Sequence, residues 1–357
     1  GGLDGAVRRQ GELSSVSADY GYINARVRGM RSKLLGPAFY QAALDATDFR
    51  AFTATLAQTP YMRELEEAQS RSEGLAAVDA AVGRNFYNTA RRLLSFSDGQ
   101  PHELIEILLL PFDVGNLKAI ARGKHAGKSA EEIQGSLYPA GALKPTLLEE
   151  AALAADMASA AQVVAFSRTE LSGAFLRAAR RYQQDGDLFA LELALDQAYF
   201  AAVLARAERA GAPAALVRHF QRQIDATNLL TALKLRGRET AVPASELFVP
   251  GGREVKRALF DALLRDDETN ALQQLAGGTF APVADAAARG DLAGAEGEAR
   301  RLLDASAKRL ATDPLDIGIV VDYLRRKEEE AAQLRLLARG KFYGVPRETL
   351  AKELTRA

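Results

Sequence analysis

The sequence predicts an all-α protein built from three similar helical domains. Three observations carry that expectation. Ala, Leu, Arg, Glu and Gln fill the long segments, and alternating β-branched runs are nearly absent. The prolines fall at the edges of the helical patterns, with Pro111 as the exception. One stretch also repeats. Asp113-Val-Gly-Asn116-Leu117 runs on to Arg122-Gly123-Lys124, and Glu330-Ala-Ala-Gln333-Leu334 runs on to Arg339-Gly340-Lys341 with every offset the same. A looser copy, Asp225-Ala-Thr-Asn228-Leu229 followed by Arg236-Gly237-Arg238, carries two extra residues before its Arg-Gly step. A pattern returning at intervals of about a hundred residues reads as one structural unit used three times.

Each copy reads as the last turns of a long helix and its stop. Gly123, Gly237 and Gly340 are expected to take the left-handed conformation that ends a helix. The flanking Arg and Lys residues suit the negative end of the helix dipole. The acid and the amide, three residues apart, share one face. They form either a buried hydrogen-bonded clamp that sets helix register or exposed capping groups.

At 357 residues the chain has room for two or three domains of roughly 100–200 residues each. Hydrophobic residues make up 48% and charged residues 26%, as in soluble globular proteins. Lys+Arg and Asp+Glu both number 46, so nothing points to a generally basic nucleic-acid surface. With no cysteine, disulfides, thiolate catalysis and cysteine metal sites are excluded. The longest apolar run, Leu104 to Pro111, is short and contains Glu106, far from the roughly 18–20 residues that span a bilayer. Gly1-Gly2-Leu3-Asp4 lacks the basic start and apolar core of a signal peptide.

Taken in order, the first helix covers Tyr20 to Leu35, with Asp19 as a candidate N-cap and Ile23, Val27, Met30 and Leu34 on its apolar face. Helices follow at Gln41–Ala46, Phe49–Ala57, Tyr61–Ala68, Leu75–Leu94, His102–Leu110 and Asp113–Arg122, with a break or kink at Pro111. Ser129–Leu137 is a short helix leading to Leu137-Tyr138-Pro139-Ala-Gly141. A matching exit, Val249-Pro250-Gly251-Gly252, follows the second copy. These Pro-Gly corners divide the chain into 1–140, 141–252 and 253–357. The middle segment holds Thr146–Ser159, Ala161–Arg181, Asp187–Ala210 and Pro213–Arg236. In Asp187–Ala210 the stripe is Leu188, Leu191, Leu195, Tyr199 and Val203, with Asp187 suited to the start and Gly211 to the end. The last segment holds Val255–Arg265, Glu268–Ala276, Leu292–Ala311, Pro314–Arg339 and Arg347–Thr355. The apolar stripe Ile317, Val320, Leu324, Ala331, Leu334 and Ala338 is interrupted by Lys327 and Glu328, a polar break that often faces a polar group across a helix interface.

The chemical signals are sparse. Gly123-Lys-His-Ala-Gly127-Lys128-Ser129 resembles a phosphate-binding loop, but three residues separate its glycines where that loop needs about four, and a helix precedes it. A helix end and a solvated loop is the simpler reading. The acids Asp266, Asp267 and Glu268 could hold Mg²⁺ on a helical enzyme, or merely begin a helix. His102, His125 and His219 show no metal-ligand spacing and no visible partner for general-base work. The basic run Arg26, Arg28, Arg31 and Lys33 reads first as a solvated or salt-bridged face, next as a contact to another protein.

Tyr20-Gly-Tyr22-Ile-Asn24-Ala25-Arg26-Val27-Arg28-Gly29-Met30, the three repeat copies, Leu191-Glu192-x2-Leu195-Asp196-x2-Tyr199-Phe200 and Tyr323-x3-Lys327-Glu328-x-Glu330 together resemble the C-subunit family of prokaryotic V/A-type rotary ATPases, the counterpart of the d-subunit of eukaryotic V-ATPases. The resemblance implies three helical domains in pseudo-threefold, funnel-like arrangement and no catalytic site or cofactor. It implies a central-stalk role, as a socket between the rotor shaft subunits and the membrane proteolipid ring. No nucleic acid or small-molecule ligand is implied, and membrane association is peripheral, at the cytoplasmic face, through the ring. Gln333 in place of Asn, and the two-residue stretch before Arg236, depart from an equal role for the three copies. A free-standing helical-repeat scaffold, and a metal-dependent enzyme built on Asp266, Asp267 and Glu268, are the competing classes.

Overall fold

The computed structural model describes residues 20–236, 243, 246–265, 268–312 and 317–355. Every regular element among them is a helix. Helix α1 spans 20–31, and Ile23, Val27 and Met30 are buried on one face as its pattern predicts. It is followed by α2 (Pro37–Asp45), α3 (Phe49–Leu56), α4 (Met62–Gln69) and α5 (Gly74–Ser95). The long α6 covers Gly99–His125 and the short α7 Ala130–Gln134. Then come α8 (Pro145–Leu153), α9 (Met157–Ala165), α10 (Glu170–Asp185), α11 (Leu188–Arg209) and α12 (Ala214–Leu235). The remaining helices are α13 (Arg257–Leu264), α14 (Glu268–Gln273), α15 (Ala281–Ala288), α16 (Leu292–Leu310), α17 (Gly318–Phe342) and α18 (Arg347–Leu354).

Local chemistry explains many boundaries. Asp187 accepts the Ala190 amide at 3.0 Å as the N-cap of α11, and Gly211 follows that helix with φ 60°, both as expected. Ser129 and Glu132 form a reciprocal capping box at the start of α7. Thr169 accepts the Ser172 amide and starts α10, which divides the single helix expected at Ala161–Arg181. Helix α15 was not anticipated; Pro282 sits in its first turn, where a missing N–H costs nothing.

Pro111 does not break its helix. Instead, α6 runs through it, and the two helices expected on either side are one. An internal proline costs about 3 kcal/mol. Leu109, Leu110 and Phe112 are buried around it, each contributing roughly 1.5–3 kcal/mol, so packing outweighs the lost bond.

The chain divides into two compact units, one formed by Gly1–Val164 with Pro314–Ala357, the other by Ala165–Asp313. In the first, Phe52, Leu56, Tyr61, Leu65, Val78, Val82, Leu334 and Leu337 form one apolar core, so α17 packs among helices from the start of the chain. In the second, α11 buries Leu191, Leu195, Tyr199 and Val203. By length and composition α11 is apolar enough to cross a membrane, with mean hydropathy 1.5 over 18 residues, although Glu192 and Asp196 interrupt it. It is longer than the run Leu104–Pro111.

Candidate functional site: buried clamps along the long helices

The repeated acids Asp113, Asp225 and Glu330 are buried, as are the amides Asn116 and Asn228, whereas Gln333 is half-buried. The buried groups grip backbone elsewhere in the chain. On α6, the Asp113 carboxylate accepts the amides of Ala142 at 2.8 Å and Leu143 at 3.1 Å. One turn on, Asn116 donates to Tyr138 O at 2.9 Å and accepts Tyr138 N–H at 2.7 Å. On α12, Asp225 accepts the amides of Arg253, Glu254 and Val255 at 2.9–3.0 Å. Asn228 pairs with both backbone groups of Val249 at 2.7 and 2.8 Å. Each clamp thus holds the Pro-Gly corner and the segment entering the next helix, α8 or α13. The glycines permit the approach: a Cβ on Gly141 would fall on the Asp113 carboxylate, and one on Gly252 would lie 2.9 Å from Asp225 Cγ.

The third clamp reaches back to the start of the chain. Glu330, on α17, accepts the Leu35 amide at 2.6 Å, just ahead of α2. Its other oxygen accepts from Tyr61 Oη at 2.7 Å and from Lys327 Nζ at 2.8 Å. Lys327 also donates to Tyr61 at 2.8 Å. The polar break in the α17 stripe therefore faces Tyr61 across a helix interface, while Glu328, also in that break, is exposed. Burial lowers the Lys327 pKa, opposed by Glu330, and raises that of Tyr61, a rise that Glu330 adds to. Burial likewise pushes Asp113 up to about 6, opposed by its two amide donors and by Arg91.

Gly123 and Gly340 are not helix stops. Both lie inside their helices, and the left-handed residues are Gly127 and Gly344, with φ 65° and 69°. The carbonyls of Gly123 and Gly340 accept the amides of Lys128 and Val345 at 2.9 and 2.8 Å, closing the two helix ends alike. Glycine is required there for packing: a Cβ would lie 2.7 Å from Ile133 Cδ1 on α7, or 2.8 Å from Leu350 Cδ1 on α18. Gly237 and Arg238 lie outside the described residues.

The lysines beside those glycines neutralise other helices, not their own. Lys124 donates to Ala152 O at 2.6 Å and to Ala154 O, at the end of α8. Lys341 donates to Leu44 O and Ala46 O at 2.7 and 2.6 Å, at the end of α2. Arg339 pairs with Asp79 at 3.1 Å and donates to Gly135 O. These reaches were invisible to a local reading. The signal was the fixed offset of 30 residues from Asp113 to Leu143 and from Asp225 to Val255.

The other candidates separate. The loop at Gly127 and Lys128 joins two helices, in keeping with a helix end and a solvated loop. His219 is buried, with Nδ1 2.9 Å from Ser306 Oγ, and burial beside Arg222 lowers its pKa to about 4. His102 lies in the first turn of α6 and His125 ends it. Asp266, Asp267 and the Glu268 side chain lie outside the described residues, and no group of three or more potential metal ligands occurs among those described. In the basic run, Arg31 pairs with Asp322 at 3.3 Å and Arg26 stacks over Phe96 at 4.2 Å. Arg28 and Lys33 are exposed.

Comparison with known proteins gives a consistent result along the chain. The sequence profile of the family described as ATP synthase (C/AC39) subunit matches residues 23–353. The C-subunit of the V-type ATP synthase of Deinococcus radiodurans is 36% identical over 337 residues, covering 94% of this chain and 91% of that protein. Its counterpart in the V-type ATP synthase of Thermus thermophilus is 36% identical over 339 residues, covering 95% and 99%. The C-subunit of the A-type ATP synthase of Haloferax volcanii is 27% identical over 346 residues, covering 93% and 96%.

Proposed function

The chain belongs to the family of ATP synthase (C/AC39) subunits and is part of a V/A-type ATP synthase complex; we propose that within it the chain is the socket joining the central rotor shaft to the proteolipid ring. The role is mechanical and non-catalytic: torque passes through it, coupling rotation to ion transport or ATP synthesis. It sits peripherally at the cytoplasmic face, held by the membrane sector. The three segments 1–140, 141–252 and 253–357 serve as repeats about a pseudo-threefold axis in a funnel-like arrangement.

The clamps are the observation that carries this reading. A part that transmits torque must resist shear between its helices. Asp113, Asp225 and Glu330 are buried, and each anchors a long helix to backbone outside that helix. Charge-assisted bonds of this kind are about twice as strong as neutral ones. The third clamp reaches the segment before α2, so the same device recurs from the end of the chain to its beginning. Such wrap-around anchoring supports a closed set of repeats rather than an open solenoid that grows from its ends.

A detergent pull-down with the purified chain tests the proposal. Retention of both the proteolipid ring and the shaft subunits is the expected result. Retention of neither would leave a free-standing scaffold as the better description.

A further inference from the structure

The helices that follow one another from α6 to α9 have a second copy, assembled from early and late parts of the chain. In the middle copy, α6, α7, α8 and α9 are consecutive. In the terminal copy, α17 and α18 stand in place of α6 and α7, and α2 and α3 in place of α8 and α9. Helix α7 packs against α8, and α18 packs against α2. Helices α8 and α2 each have nine residues, begin at Pro145 and Pro37, and stop at Ala154 and Ala46 with φ −54° and −55°. Asp113 and Glu330 grip the amides of Leu143 and Leu35, each two residues before the proline. Lys124 holds the carbonyls of Ala152 and Ala154, and Lys341 holds the matching pair, Leu44 and Ala46. Just ahead of α9 and α3, Asp156 and Asp48 accept the amides of Ser159 and Ala51, both at 2.8 Å.

The copies differ in how they are joined. Residues 135–144 lead directly from α7 to α8, whereas no short peptide link runs from α18 to α2. Bringing two such distant segments together costs loop-closure entropy that a short link avoids. The terminal copy has contacts across this gap at places where the middle copy has none to match. Arg347 pairs with Asp45 at 2.8 Å, where the middle copy has Ala130 and Leu153. Phe342 meets Phe49 edge to face at 5.3 Å, where the middle copy has His125 and Met157.

We propose that α17–α18 and α2–α3 form one building block divided between the two parts of the chain, closed by a clasp that replaces the peptide link 135–144. The clasp consists of Glu330, Lys341, Arg347 and Phe342, acting on Leu35, the end of α2 and Phe49. It ties the local stability of the first helices to that of the last, so loosening α18 releases α2 and α3. The proposal rests on packing within one compact unit and holds whatever the chain joins in its complex.

Hydrogen exchange on the full chain tests it. Lys341→Met removes two bonds to the end of α2. It should make the amides of α2 and α3 exchange roughly tenfold faster, while those of α10 to α16 keep parental rates. Lys124→Met should have the matching effect on α8 and α9. A circular permutant gives a second test. Ala357 is joined to Gly1 and the chain is opened between Gly135 and Ser136, so the terminal copy becomes continuous and the middle copy divided. The permutant should keep the parent's helix content and melt cooperatively. Faster exchange confined to α17 and α18 in Lys341→Met, or a permutant with no cooperative melt, would overturn the proposal.

Discussion

Gly123 lies directly beneath Ile133: a Cβ on the glycine would sit 2.7 Å from Ile133 Cδ1 and closer still to Cγ1. Gly340 stands in the same relation to Leu350. Substituting Gly123→Ala should destabilise the unit by about 1–3 kcal/mol through overpacking, despite the better helix propensity of alanine. Adding Ile133→Ala should recover part of that loss. Denaturant midpoints of the two single variants and the double give the coupling; strict additivity would show that the contact does not set the requirement.

The amide clamps make a second prediction. Asn116→Ala leaves both backbone groups of Tyr138 without their partner, and Asn228→Ala does the same at Val249. Each should cost about 1–3 kcal/mol per stranded group. Hydrogen exchange should show the loss first at the Tyr138 and Val249 amides.

Lys327 and Glu330 are charged partners buried against Tyr61. Removing one charge should cost more than removing both. Lys327→Met is expected to destabilise by about 3–5 kcal/mol, because it strands a buried carboxylate. Lys327→Met with Glu330→Gln should be milder. Urea melts of the three variants decide this, and a double variant as damaged as the sum of its singles contradicts it.

His219 gives a pH dependence whose sign is fixed. Its ring is buried neutral, with a pKa of about 4 against an ordinary 6.5. A depressed histidine pKa means that the unfolded chain binds the extra proton first as pH falls. The stabilisation is therefore present above pH 6.5 and is lost as pH falls through 4, by at most about 3 kcal/mol. His219→Gln should flatten the stability profile of its unit between those limits. A profile as steep as that of the parent would place the acid sensitivity elsewhere.

Much of the fold was legible because helix propensity and apolar spacing act locally. The α11 stripe and its Asp187 and Gly211 ends came straight from the residues. Pro111 misled because its local penalty is visible, whereas the burial of Leu109, Leu110 and Phe112 that outweighs it is tertiary. Gly123 and Gly340 misled for a related reason. Sequence marks a glycine as special without saying whether conformation or close packing demands it, and Ile133 and Leu350 supply the answer. The clamp residues were legible as a set, but their partners were not. Glu330 reaches Leu35 from the far end of the chain, and no local pattern carries that pairing.

The most direct test of the coupling role compares reconstituted complexes with and without this chain, measuring ATP hydrolysis and ATP-driven ion translocation in the same vesicles. Without the chain, hydrolysis should continue while translocation falls to background, and adding the chain back should restore it. Translocation undiminished in its absence would contradict the account.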